Sequence, residues 1–173
     1  MKIQLTSDIK TSDIDPIKRT ITSSLKAAVS FTGMESKKIN GKGYELIFSI
    51  LLTDNARIRN LNKKYRNMDE TTDVLSFPAI DFQGPIFEIP DDQMYMDPEG
   101  GYEVQMGDIV ISLEKVTEQA EMIGNTFHEE LSFLVIHSYL HIIGYDHMDE
   151  VSEDAMTGMQ KQIIHYLKQQ REI

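Results

Sequence analysis

The chain has 173 residues, a length typical of one domain, and 40% of them are hydrophobic, as in soluble globular proteins with a substantial core. Seventeen basic and twenty-eight acidic residues give a net charge of −11, which argues against diffuse nucleic-acid binding and restricts any such site to a local basic patch. Cysteine is absent, which excludes disulfides and thiolate metal sites; without a signal-peptide pattern or a membrane-length apolar run, we expect a soluble, cytoplasmic protein.

The first fifty residues predict a strand, a helix and a second strand. Ile3 and Leu5 alternate with polar residues, as in a short strand. Apolar residues at intervals of four then indicate a helix over about 15–32, with one apolar face. The nearly continuous apolar run over 44–52 is typical of a buried central strand.

A second helix, capped by Thr53 or Asp54, carries an unusual concentration of positive charge for so acidic a chain. Five of the seventeen basic residues lie on it within ten consecutive positions: Arg57, Arg59, Lys63, Lys64 and Arg66. Such a run is most often a solvated helix face, and the alternative is a patch that binds an anionic ligand.

The remaining chain predicts two more strands and three consecutive helices. A short strand over 72–78 ends at a proline, and an irregular acidic stretch at about 81–105 is expected to be a surface insertion or a hairpin in the single domain 1–173. A strand over 107–112 precedes a helix over 113–123. Thr126 and Glu129 match a capping box that opens an apolar, central helix over about 127–143, and an amphipathic helix follows. The order of these elements predicts one sheet with helices packed on it.

Three of the five histidines, His137, His141 and His147, lie within eleven residues beside strongly apolar sequence. His137 and His141 are four positions apart and share a helix face. Gly144 favours a left-handed turn that lets His147 supply a third nitrogen. Three neutral imidazoles leave a fourth position for water, whose pKa falls to about 7 on a catalytic zinc ion. We therefore predict a site for one Zn²⁺, although these ligands also suit nickel, copper or iron.

The histidine spacing is that of the metzincin metalloproteases, with one departure. Those proteases place a glutamate, their general base, at the position that Ser138 takes here. Serine cannot do this work, which leaves an atypical metallopeptidase as a weak alternative. Asp146 is the best candidate to accept the second N–H of a ligating imidazole, and it could equally cap the turn.

The same stretch resembles the signature of the YbeY family of bacterial endoribonucleases, H-G-x-L-H-L-x-G-Y-D-H. The sequence matches it except at Ser138, where the family usually has glycine, and, conservatively, at Ile142. Further matching blocks follow the family's order over most of 50–150: Leu61-Asn62 with Tyr65-Arg66, Thr72-Asp73-Val74-Leu75-Ser76-Phe77-Pro78 and Gly107-Asp108-Ile109-Val110-Ile111-Ser112.

The resemblance implies a zinc-dependent hydrolase of α+β fold, with a single mixed β-sheet packed by helices around a central metal-binding helix, distantly like metzincins. It implies cleavage of single-stranded RNA in small-subunit rRNA maturation and ribosome quality control, and an essential arginine at position 66. The expected catalytic residues are Arg66, His137, His141 and His147. Either metal-bound water attacks the phosphodiester, or the metal polarises a phosphate oxygen while the RNA 2′-OH attacks; Arg66 binds phosphate, unless it forms a structural ion pair.

A rival interpretation is a ribosome-assembly factor without catalysis. Such a protein would bind rRNA, a ribosomal protein or an assembly GTPase, and the net charge of −11 mildly favours docking on a protein partner. Neither DNA nor a membrane is expected as a partner.

Overall fold

The computed structural model describes residues 1–10, 14–34, 43–82, 89, 91–96, 101–145 and 150–170. Within these ranges lie five strands and five helices, together with a 3₁₀ turn at Asp91–Gln93. In chain order they are β1 (Lys2–Ser7), α1 (Ile14–Phe31), β2 (Tyr44–Thr53), α2 (Asn55–Arg66), β3 (Val74–Pro78), β4 (Met94–Met96), β5 (Tyr102–Ser112), α3 (Leu113–Ile123), α4 (Phe127–Ile142) and α5 (Glu150–Gln170).

The strands form one mixed sheet, which confirms the predicted α+β class. Its order is β1-β2-β5-β3; β1, β2 and β5 are parallel, whereas β3 and β4 both run antiparallel to β5. β3 is therefore an edge strand, and its last residue, Pro78, suits that place because proline cannot donate to a further strand.

The stretch expected to be irregular over 81–105 contains regular structure in its described part. β5 begins at Tyr102 instead of 107, and β4 pairs with its first residues as a hairpin. This half of the strand was not predicted, because the polar residues Glu103 and Gln105 interrupt the apolar pattern. Pairing with β2 on one side and β4 on the other stabilises it. Residues 83–88, 90 and 97–100 of that stretch lie outside the described ranges.

Gly107 allows β3 to lie close against β5. A Cβ atom at this position would clash with the carbonyl oxygen of Phe77, and the glycine has a φ of 152°. Next to it, β5 contains a bulge opposite the Ile47–Phe48 step of β2.

The two faces of the sheet carry different layers. Ile109 and Ile111 of β5 belong to the main core with α1 and α4, whereas Val110 between them packs in a smaller cluster with Ile58 of α2. Because side chains alternate across a strand, α2 lies on the face opposite α1 and α4.

α4 is the buried central helix that the sequence predicts. Its capping box is present: the Thr126 hydroxyl accepts from the Glu129 N–H at 3.2 Å, and the Glu129 carboxylate accepts from the Thr126 N–H at 2.9 Å. Tyr139, fully buried, pairs its hydroxyl with that of Thr32, the residue just after α1, at 2.6 Å. None of the described helices, α4 included, has both the length and the apolar character needed to cross a bilayer.

Candidate functional site

A cavity of about 580 Å³ opens between α4, β3 and the end of α2. It brings together Arg66, His137 and His141, three of the four residues predicted to be catalytic. The fourth, His147, lies outside the described residues, as does Asp146. The described part of the chain contains no group of three histidine or acidic side chains able to hold a metal ion.

His137 and His141 face each other across one helical turn, as their spacing predicts. Their Nε2 atoms are 3.1 Å apart, and the rings are nearly perpendicular, with an angle of 86°. Phe133, one turn earlier on α4, is stacked parallel to the His137 ring, with the ring centroids 6.2 Å apart. The shared helix face thus directs both Nε2 atoms to one point at the cavity wall.

The opposite nitrogen of each ring faces an oxygen acceptor. The Nδ1 atom of His141 lies 3.0 Å from the Tyr145 carbonyl, and that of His137 lies 3.4 Å from the amide oxygen of Gln160. The Gln160 amide is oriented by its own N–H group, which donates to the Phe133 carbonyl at 3.0 Å. In the tautomer that satisfies both acceptors, each neutral ring carries its proton on Nδ1 and presents a lone pair at Nε2.

The turn after α4 places the Tyr145 carbonyl. Gly144 has a φ of 91°, the left-handed conformation predicted for it. The Gly144 N–H donates to the His141 carbonyl at 3.1 Å, and the Tyr145 N–H donates to the Leu140 carbonyl at 3.0 Å, as in a Schellman motif. Burial raises the pKa of the Tyr145 hydroxyl, which stays neutral at the cavity wall.

The histidine pair fits a shared cation in kind and in spacing. Two lone pairs 3.1 Å apart repel unless a positive charge lies between them. With Zn–N distances of about 2.0–2.1 Å and tetrahedral angles, two ligating nitrogens are about 3.3 Å apart. Imidazole nitrogens are ordinary zinc ligands, and the two oxygens at Nδ1 are the outer partners that such ligands usually have.

Arg66 reaches the cavity from the last residue of α2. Its one described hydrogen bond is a long one, from Nη2 to the Ser76 carbonyl at 3.4 Å. Among the described residues, no carboxylate forms an ion pair with Arg66. That part of the chain thus gives no support to the alternative of a structural ion pair, and the guanidinium keeps donors available at the cavity.

The rest of the basic run on α2 behaves mainly as a solvated, ion-paired face. Arg59 and Lys63 both contact the Asp69 carboxylate, at 2.8 and 2.7 Å, and their hydrogen bonds lower the pKa of Asp69. Arg57 lies 3.6 Å from a carboxylate oxygen of Asp8. The run therefore divides: three cations have acidic partners, whereas Arg66 faces the histidine cavity.

Two contributors to the site were not identified from the sequence. Gln160 lies on α5, 23 positions from His137. The sequence predicted only that this segment is an amphipathic helix. The Tyr145 carbonyl belongs to the backbone, so no side-chain pattern points to it. Asp73, at the cavity rim, accepts from the Val74 N–H at 2.7 Å and from the Gln119 amide at 3.0 Å, as expected for a residue that holds a turn.

The comparisons with known proteins agree with the resemblance of the motifs. A family model described as endoribonuclease YbeY matches residues 4–168. An endoribonuclease YbeY of Clostridium perfringens is 36% identical over 162 residues, which cover 88% of this chain and 90% of that protein. Proteins of the same name from Lachnoclostridium phytofermentans and Bacillus cytotoxicus are 41% and 40% identical, over 70% and 81% of this chain and 74% and 80% of their own lengths.

A solution structure of a Thermotoga maritima protein superposes with a TM-score of 0.57 at 21% identity, covering 98% of this chain and 91% of that one. At this identity the likeness shows the fold alone. The family match and the sequence relatives carry the assignment: the chain belongs to the endoribonuclease YbeY family.

Proposed function

We propose that the chain is a zinc-dependent endoribonuclease that cleaves single-stranded RNA, in small-subunit rRNA maturation and ribosome quality control. One observation carries the proposal: a single cavity holds the His137–His141 pair and Arg66, whose guanidinium has no ion-pair partner among the described residues. Membership of an endoribonuclease family supports RNA as the substrate class.

His137, His141 and His147 are the residues that would hold the metal, which when bound supplies a Lewis acid for activating water and polarising a phosphate oxygen. The chain's own groups do the rest. Gln160 and Tyr145 orient the two imidazoles, and the Arg66 guanidinium binds the scissile phosphate with its planar fork of donors. The long contact of Arg66 with Ser76 leaves it free to turn toward the substrate.

A short single strand suits the charge pattern better than a duplex. Duplex binders neutralise many phosphates, and each contact needs an available cation. Here Arg57, Arg59 and Lys63 have acidic partners, and the net charge is −11. A site that can contact only a few phosphates therefore favours a single RNA strand over a duplex.

The net charge also favours a second candidate function. A non-catalytic assembly factor would bind rRNA, a ribosomal protein or an assembly GTPase, with the histidine helix as a scaffold. A metallopeptidase is less favoured, because Ser138 is fully buried within α4 and stands where metzincins need their glutamate.

Cleavage of a fluorescent single-stranded RNA and of its duplex by metal-loaded protein tests the proposal. The wild-type chain should cut the single strand preferentially, and His141→Ala should cut neither. His165→Ala, which changes a histidine on α5 bonded to Gln169 at 2.7 Å, is the matched control and should behave as wild type. A wild-type protein that cuts no RNA, or a His141→Ala variant as active as wild type, would leave the assembly factor as the better account.

A further inference from the structure

The edge strand β3 separates the histidine cavity from a second depression on the opposite face of the sheet. Val74, Ser76 and Pro78 line the histidine cavity, whereas Leu75 and Phe77 belong to the cluster under α2. This is the alternation expected of a strand. Among the described residues, no strand pairs with the outer edge of β3, the side along which a ligand chain would run from one face to the other.

The last two residues of α2 lie on the two sides of this edge. Arg66 lines the histidine cavity, and Tyr65 lines the depression on the other face. The Tyr65 ring meets Phe77 edge-on, with centroids 5.3 Å apart, and 55% of Tyr65 is exposed. The Lys64 Nζ atom lies 4.7 Å from the centre of the same ring and 3.0 Å from its hydroxyl.

The depression has the size and chemistry of a nucleobase site. Its volume is about 500 Å³, and its mainly apolar lining combines the rings of Tyr65 and Phe77 with aliphatic side chains such as Leu61. Polar groups are placed among them, from Gln4, Thr6, Ser49 and Asp108. Such groups suit the donor and acceptor edges of an unpaired base. Asp108, exposed in the middle of β5, disfavours phosphate there but can accept from a base amino group.

We propose that the Tyr65 ring, backed by Phe77, is a base-stacking subsite for the RNA strand whose neighbouring phosphate is bound by Arg66. The inference rests on the proposed function and extends it to recognition beyond the cleaved bond. Exposed aromatic rings beside a cation bind bases of any sequence, because every base has a π-face. Tyr65 and Phe77 line this subsite, and their chain neighbours Arg66 and Ser76 line the histidine cavity. The two sites therefore lie on the two sides of one strand.

Abasic substitution tests the subsite directly. Single-stranded RNAs of about 12 nucleotides, each with one abasic residue at a successive position, are cleaved by metal-loaded wild-type, Tyr65→Ala, Tyr65→Leu and Tyr65→Phe proteins. In the wild type, one position near the cleaved bond should lower kcat/KM about tenfold when its base is removed. Tyr65→Ala should lower kcat/KM for intact RNA by the same factor and be insensitive to that abasic position.

Two further variants separate stacking from packing. Tyr65→Leu keeps an apolar contact with Phe77 but has no ring, so it should behave as Tyr65→Ala, whereas Tyr65→Phe should behave as wild type. Tyr166→Ala is the matched control, because Tyr166 meets Phe31 with the same centroid distance of 5.3 Å and angle of 68°, and is 40% exposed. It should leave the abasic profile unchanged.

The outcomes distinguish the subsite from the proposed function. If the wild type cleaves RNA and all Tyr65 variants share its abasic profile, the subsite is wrong and the endoribonuclease stands; a groove that serves a protein partner would give this result. If the wild type cleaves no RNA, both proposals fail. Both proposals are supported if Tyr65→Ala loses the sensitivity to one abasic position and Tyr166→Ala retains it.

Discussion

The two helices that meet at the cavity hold their functional side chains in opposite ways. α4 is buried along most of its length, and its two cavity histidines each have an oxygen acceptor at Nδ1. α2 buries only Ile58 and Asn62, and Arg66 reaches the cavity with a single long hydrogen bond among its described contacts. The difference matches the two proposed tasks: ligands of a fixed ion need preorganised rings, whereas a cation that follows a flexible phosphate chain needs freedom.

The largest expected effect concerns the exposed helix. Arg66→Ala should lower kcat/KM for single-stranded RNA by about 10²–10³-fold, as for loss of one donor that stabilises developing charge. Arg66→Lys should recover only part of this, because lysine lacks the planar fork of donors. The measurement is steady-state cleavage of a labelled RNA.

Arg59→Ala is the matched control for that prediction. Arg59 lies on the same helix but is paired with Asp69, so its loss should change kcat/KM by less than about threefold. Equal losses in Arg59→Ala and Arg66→Ala would mean that α2 acts as a diffuse basic surface and that the contrast between its cations is wrong.

Gln160→Leu tests the preorganisation of α4. The variant keeps nearly the same volume at this buried position but removes the acceptor for the His137 Nδ1–H group, so metal affinity should fall about 10–100-fold. Competition with a chromophoric chelator measures it. Gln169→Leu, at the exposed glutamine bonded to His165, should leave the affinity unchanged. Unchanged affinity in both variants would show that the His137 ring needs no such support.

Two consecutive glutamates at the start of α4 should contribute to the pH dependence of the free energy of unfolding with opposite signs. The hydrogen bond from Lys168 and those at Thr126 lower the pKa of Glu129 from 4.5 to about 2. A lowered carboxyl pKa gives stability that is present above pH 4.5 and lost as pH falls toward 2. Glu129→Gln should therefore lower the free energy of unfolding by about 1–2 kcal/mol at pH 7 and weaken its acid dependence.

Glu130 is the control for the sign of that effect. Burial raises its pKa, so its carboxylate costs stability at neutral pH. Glu130→Gln should be neutral or stabilising at pH 7 in urea denaturation. A Glu130→Gln variant less stable than Glu129→Gln would contradict the assignment of the two carboxylates.

The smallest expected effect lies inside α4. The Ser138 hydroxyl is buried without a hydrogen-bond partner, so Ser138→Ala should raise the free energy of unfolding by about 1 kcal/mol. Ser138→Gly restores the residue usual in the family, and its lower helix propensity should cancel this gain. Ser24→Ala is the control, since that buried hydroxyl donates to the Thr20 carbonyl at 2.8 Å and its removal should not stabilise. Thermal unfolding distinguishes the three.

Features encoded by neighbouring residues could be predicted from the sequence. The capping box of Thr126 and Glu129, the left-handed Gly144 and the shared face of His137 and His141 all depend on positions at most five apart, where helix geometry fixes the contact. The family motifs added Arg66, which helix spacing alone would have left among the other cations.

The rest depends on contacts between distant parts of the chain. Gln160 reaches His137 from another helix, and Phe77 meets Tyr65 only because β3 pairs at the edge of the sheet. Likewise, the pairing of Arg59 and Lys63 with Asp69 follows from the fold of the loop after α2. No local pattern predicts such contacts, because tertiary packing selects them.

Elemental analysis of the purified protein tests the central claim most directly. Wild type and the control variants His128→Ala and His165→Ala should each contain about one equivalent of zinc per chain, whereas His137→Ala, His141→Ala and His147→Ala should each lose it. Retention of stoichiometric metal in all three cavity variants, or its absence from the wild type after reconstitution with zinc, would contradict a metal centre at the end of α4.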